Sequence, residues 1–235
     1  MAVRQVVWPM SVSQIASHCV DLASLAQPCP PMPNFNRPLA AICVLLLGLA
    51  IPPTRAAEPP NRIDNVKLDA QTQIGGQAVR LNGAGAFAPL KGFAWIKGYV
   101  AALYLAERAA STDQVLTMPG AKRLQMRMLM DVPVAEFVKA FHKGVARNAP
   151  AAEQPALADR MQRFDGLIQP LGKVLKGDAI NLDYIPGRGM LLTHNGRELG
   201  AAIPGDDFYD ALLGVFIGPH PVDDKLKALL LGQGA

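Results

Sequence analysis

Gly92 to Leu105 reads GFAWIKGYVAALYL, and this stretch decides the fold class. It combines aromatic and β-branched residues with two glycines and one charge, which is the composition of a long strand. Lys122 to Met130 supports the same reading. There Leu124, Met126, Met128 and Met130 alternate with Gln125 and Arg127, a period of two that makes a second strand with one apolar face. Ahead of the first strand, Gln77 to Leu81 is a short extended stretch, and Asn82-Gly83-Ala84-Gly85 reads as a turn.

The pattern changes after Asp131. Val134, Phe137, Val138, Phe141 and Val145 recur at three- and four-residue spacing. This predicts a helix with one apolar face, opened by Asp131 as its cap with Pro133 in its first turn. Leu157, Met161, Phe164, Leu167 and Ile168 give a second such face between Pro155 and Pro170. A meander follows. Ile180 to Tyr184 turns at Pro186-Gly187, returns through Met190 to Leu192, and turns again at Asn195-Gly196 into Arg197 to Ala202. Asp206 to Ile217 and Val222 to Leu231 read as closing helices, while Ser111 caps a single turn near Thr112. Strands, two helices, hairpins and two further helices make an α+β layout with an antiparallel sheet.

Charge and composition narrow the function. Half of the 235 residues are apolar and 18% are charged, with a net charge of +4 and no Lys/Arg run. One globular domain fits, and a nucleic-acid-binding role, which needs a basic stripe, is excluded. Leu39 to Ile51, LAAICVLLLGLAI, is a run of 13 apolar residues after Arg37 and before Pro52-Pro53-Thr54-Arg55-Ala56. That is too short to span a bilayer and suits a secretory signal core, with cleavage near Ala56 or Ala57. The reading divides the chain into residues 1–31 (upstream sequence or an extended n-region), a signal peptide over 32–56 starting at Met32, a linker over 57–64 and the domain over 65–235. The expected location is periplasmic or secreted, with no stable membrane anchor after cleavage. Cys19, Cys29 and Cys43 all precede the cut, so the mature domain has no disulfide or thiolate chemistry.

The residues suggest no cofactor. There is no Gly-x-Ser-x-Gly elbow, Walker loop or His-Glu-x-x-His. His142, His194 and His220 are far apart and read as solvated, and no metal site is expected. Asp131, Asp206, Asp207, Asp223 and Asp224 stand at helix starts, and Asp183 alternates with Leu182 and Tyr184, which points it to water.

Three stretches resemble the bacterial chalcone-isomerase-like family: Leu81-Asn-Gly-Ala-Gly85; Trp95-Ile-Lys-Gly-Tyr-Val-Ala-Ala-Leu-Tyr-Leu105; and Leu199-Gly-Ala-Ala-Ile-Pro-Gly-Asp-Asp-Phe-Tyr-Asp-Ala-Leu-Leu213, followed by Ile217-Gly218 and Pro221-Val222. The resemblance runs from about Asn65 to Leu231. It implies an open-faced β-sandwich, a large antiparallel sheet under a helical layer with a ligand cleft between them. The family's enzymes hold a phenolate and an enolate with an Arg, a Thr, a Tyr and a Lys. By register those positions fall on Phe87, Tyr99, Phe137 and Ala140. Only Tyr99 keeps a hydroxyl, and Arg80, Lys91 and Lys97 lie near the register without occupying it. The implied protein is non-catalytic and binds a fatty-acid- or polyketide-like molecule, with Lys97, Phe141, Met126 and Met128 as further cleft candidates. Two alternatives carry different expectations: an intramolecular lyase with a rearranged site, and an accessory envelope protein whose cleft is filled by Phe87 and Tyr99. No protein partner is indicated.

Overall fold

Seven strands form one antiparallel sheet in the order in which they occur along the chain. They are β1 (Gln71–Ile74), β2 (Gln77–Phe87), β3 (Tyr99–Leu105), β4 (Lys122–Met128), β5 (Ala179–Ile185), β6 (Gly189–His194) and β7 (Arg197–Glu198). The computed structural model describes residues 61–88, 90–91, 94–95 and 98–234. Helix α1 (Thr112–Thr117) joins β3 to β4, and α2 (Val134–Asn148) and α3 (Gln154–Ile168) join β4 to β5. After the sheet come α4 (Asp206–Ile217) and α5 (Asp224–Leu230). No described helix is long and apolar enough to cross a membrane.

Strand alternation divides the interior in two. Leu103, Leu124, Met126, Ile180, Leu182 and Leu192 point toward the helices and meet Phe141, Phe164, Phe208, Leu212 and Phe216, all buried. The other face carries Val100, Ala102, Tyr104 and Leu191 and makes a smaller core with Leu68, Ile74, Val79 and Leu81. The sheet curls over that smaller core. Arg123 on β4 donates to Thr72 Oγ1 on β1 at 3.3 Å, although β2 and β3 lie between those strands in the sheet.

The curl changes the fate of Asp183. It is 3% exposed instead of facing water. Arg123 holds both its carboxylate oxygens, Nε to Oδ1 and Nη2 to Oδ2, each at 2.6 Å. Beside that pair, Gln125 donates to Asn181 at 3.0 Å and Asn181 to Thr193 at 2.9 Å, so the buried polar row is internally bonded.

Asn82 to Gly85 is not a turn. β2 runs through it with an irregularity between Leu81 and Gly83. The irregularity turns Asn82 inward, where its amide donates to Ala109 O at 2.9 Å and Leu230 O at 2.8 Å and accepts from Ala109 N–H at 2.8 Å. The glycines serve close approach, because α5 lies directly on the strand. A Cβ on Gly83 would stand 2.1 Å from Leu229 O.

Smaller differences follow from tertiary partners. The expected strand from Gly92 begins at Tyr99, preceded by a short pairing of Leu90–Lys91 with Ala94–Trp95. Gly92, Phe93, Ile96 and Lys97 lie outside the described residues, as do residues 1–60 and with them the segments read as leader and signal peptide. Asp131 does not cap α2. It accepts from Lys176 N–H at 2.9 Å and pairs with Lys173 at 3.1 Å, and the helix starts after Pro133. Ser111 and Asp223 cap α1 and α5 with their side chains. Asn195 and Gly196 take φ of 50° and 80°, the positive pair that a tight hairpin requires.

A candidate ligand cleft between the sheet and the second helix

At one end of the sheet three neighbouring strands place large side chains side by side. Phe87 at the end of β2 pairs in register with Tyr99 at the start of β3, and Tyr99 pairs with Met128 at the end of β4. The rings of Phe87 and Tyr99 stack at 4.9 Å and 27°. Facing this wall is the first half of α2. Pro133, Phe137 and Ala140 share one side of the helix at four- and three-residue spacing, and Glu136 stands beside them. Met130, Asp131 and Val132 form the connecting edge.

Together these residues enclose a cleft of about 240 Å³. Phe87 and Tyr99 therefore form a wall and leave open space beside it. Of the residues read from the sequence, Phe87, Tyr99, Met128, Phe137 and Ala140 line this cleft. Met126 and Phe141 do not. Met126 is fully buried in the main core, and Phe141 is packed behind Phe137, with ring centroids 4.7 Å apart and further contacts to Phe164 and Phe216. Lys97 lies outside the described residues. Met130, on the methionine face of the strand, also lines the cleft; Asp131 was read only as a helix cap, and Glu136 and Val132 were not singled out by sequence reasoning. The spacing of Glu136 beside Phe137 on the helix face was the available signal.

The electrostatics of the cleft are acidic where they are polar at all. Asp131 and Glu136 are the charged side chains among the described lining residues. The Asp131 carboxyl is held below its usual range by the Lys176 N–H and then by the Lys173 ammonium. Burial, and after it the negative charge of Asp223, pushes the Tyr99 phenol up, so it remains a neutral hydroxyl across the physiological range. Stabilising an enolate or phenolate requires preorganised donors, most effectively cations, aimed at the developing charge. The described lining offers one phenol and two carboxylates, the latter repelling such an anion.

Elsewhere two histidines lie against carboxylates. His142 meets Asp165 at 2.8 Å and His194 meets Asp178 at 2.9 Å, and His220 is exposed. Among the described residues no three His, Cys, Asp or Glu side chains converge to hold a metal ion.

A curled antiparallel sheet with helices on one face and a cleft between α2 and the strand ends defines the class. Residues 60–232 match the model of the chalcone isomerase-like family, and the chain belongs to that family. In fold it is similar to the crystal structure of a fatty-acid binding protein of Arabidopsis thaliana, with a TM-score of 0.55 and 18% identity over 74% of this chain and 90% of that one. No curated protein sequence matches it.

Proposed function

We propose that this chain is an exported, non-catalytic carrier of an apolar small molecule in a bacterial cell envelope, and that the molecule sits between Phe87, Tyr99 and Met128 on one side and Phe137 and Ala140 on the other. The observation that carries the proposal is the cleft itself: open, walled by aromatic and thioether groups, with no cation among its described lining residues. The Arabidopsis fatty-acid binding protein supports it by fold alone. The 13-residue apolar run before Ala56 supports export.

Asp131 and Glu136 restrict the head group. A carboxylate beside them adds like-charge repulsion, whereas a hydroxyl or ketone can donate to or accept from the Tyr99 phenol. The cleft is also smaller than the 300 Å³ or more of common drug-sized sites, which favours a short chain or one or two rings. Chalcone cyclisation is not expected to run above its spontaneous rate.

The test is a titration of the purified domain with 1-nonanol and nonanoate at pH 7, two ligands with one tail. Saturable binding of the alcohol is expected, with the carboxylate at least about tenfold weaker, a difference of ~1.4 kcal/mol. Ala140→Trp, an exposed position on the cleft wall, should abolish binding while preserving the fold. If neither ligand binds, or both bind Ala140→Trp as well as the parent, the carrier reading fails.

A further inference from the structure

A second cavity, independent of the cleft, opens toward the other end of the same strands. Lys122, at the first residue of β4, is six residues from Met128, about 20 Å along a strand. The cavity measures about 310 Å³ and is lined chiefly by Leu116, Met118, Lys122, Tyr184, Asp206 and Asp210.

Lys122 is an unusual residue to find there. Strand parity places it on the helix-facing side with Leu124, Met126 and Met128, and only 4% of its surface is exposed. Its register partner across the sheet is Tyr184, and Nζ sits 4.9 Å from the centre of that ring. Among the described residues Nζ has no ion pair within 4.0 Å and no hydrogen bond. Asp206 and Asp210, from the first two turns of α4, line the same cavity without closing on it. A lysine buried this fully is ordinarily paired.

The surroundings favour reactive, uncharged forms. Burial lowers the Lys122 ammonium, working against the nearby Asp210 and Asp206 charges. Burial raises the Asp210 carboxyl; the Lys122 charge opposes that rise, and the neighbouring Asp206 and Asp207 charges add to it. Tyr184 is pushed up to about 12 by burial and then by Asp206. An amine and a carboxylic acid whose environments both favour the neutral state thus line one concave space. A resident anion is disfavoured, because the Asp206 carboxylate already faces the cavity.

We propose that Lys122 is a carbonyl-reactive amine and that this cavity captures a small apolar aldehyde or ketone as an imine. The amine lone pair adds to the carbonyl carbon as the C=O π pair moves to oxygen, which takes a proton from the Asp210 carboxyl. The nitrogen then returns a proton to the Asp210 carboxylate. The carbinolamine hydroxyl, protonated again by Asp210, leaves as water while the nitrogen lone pair forms C=N. One amine, one carbonyl and the Asp210 proton give one iminium, one water and an Asp210 carboxylate, with no oxidant or reductant. The body of the substrate packs on Leu116 and Met118, and the carboxylates of Asp206 and Asp210 stabilise the iminium.

The experiment treats the full chain with pentanal and cyanoborohydride at pH 7, then maps alkylation of each lysine by mass spectrometry. Lys122 should be labelled at least about tenfold faster than the exposed Lys173 and Lys139, because burial favours its free amine. Asp210→Asn should slow labelling of Lys122 severalfold and leave Lys173 unchanged. Labelling of Lys122 no faster than Lys173 in folded protein overturns the proposal. An Asp210→Asn variant that labels Lys122 at the parent rate overturns the acid's role in the step.

Discussion

Adding one methyl group at Gly83 measures how tightly α5 is seated on β2. The new Cβ would lie 2.1 Å from Leu229 O, 2.6 Å from Leu230 O and 2.8 Å from Leu230 C. All three are backbone atoms and cannot rotate aside. Ordinary carbon–oxygen contact is about 3.3 Å, so the end of α5 must retreat by about 1 Å. That retreat loosens Leu226 and Leu230, both fully buried, and stretches the 2.8 Å bond from Asn82 to Leu230 O. Overpacking costs about 1–3 kcal/mol and the hydrogen bond about 1 kcal/mol, giving roughly 2–4 kcal/mol. For a domain of this size the melting temperature should fall by about 5–15 °C. Gly85→Ala should cost less, because its closest contact, at 2.6 Å, is the movable Leu229 Cδ1. Gly166→Ala meets nothing within 4 Å inside α3 and should gain up to about 1 kcal/mol from helix propensity. Thermal melts followed by circular dichroism, with urea titrations to check an unchanged m-value, would rank the three. A Gly83→Ala protein melting within about 2 °C of the parent would refute the packing of α5 described above.

Three further outcomes follow. Asp183→Ala leaves the Arg123 guanidinium buried without its partner and should cost about 3–5 kcal/mol in urea unfolding, while Arg123→Met with Asp183→Leu should recover most of it; a single-variant cost below about 1 kcal/mol would show the pair to be dispensable. Asp178 is brought down to about 2: burial opposes ionisation, but hydrogen bonds from Asn195, His194 and the Leu175 N–H outweigh it. Its folded value lies below the ordinary 3.8, so its stabilisation is complete above pH ~4 and disappears as pH falls through ~2; Asp178→Asn should flatten that part of the stability profile, and an unchanged profile contradicts it. Placing Arg at both Leu46 and Leu47 should keep the protein in the cytoplasm, and full periplasmic yield would remove the signal-peptide reading.

Much of the fold was readable because local rules and tertiary packing agree. The parity of Leu124, Met126 and Met128, the faces of α2 and α3, and the Asn195-Gly196 hairpin all follow from periodicity or turn chemistry. Asn82-Gly83 was misread because the same dipeptide suits a turn locally, and a helix far away in sequence decides otherwise. Asp183 was misread because alternation assigns a side chain to a face without saying whether that face is covered. The curl of the sheet supplies the cover, and it rests on contacts such as Arg123 to Thr72 that no single strand encodes. In the cleft, the positions carried over by resemblance line one space, whereas Asp131 comes from an edge whose geometry depends on the Lys173–Val174 pairing. Lys122 was legible in principle. It has the parity of the apolar residues of β4, and a lysine in that phase points inward.

The strand order also has a consequence for how the molecule comes together. Each strand adds to the edge left by the one before, so the sheet can grow step by step as the polypeptide is synthesised, with short-range pairings made first. The bond from Asn82 to Leu230 is different, because it joins residues 148 apart. Until α5 has docked, the glycine strip of β2 stays bare and part of the apolar interior faces solvent. A chain folding in sequence order therefore carries an adhesive seam until α5 closes it, which marks that interval as the stage at which a chaperone would matter most and aggregation would begin.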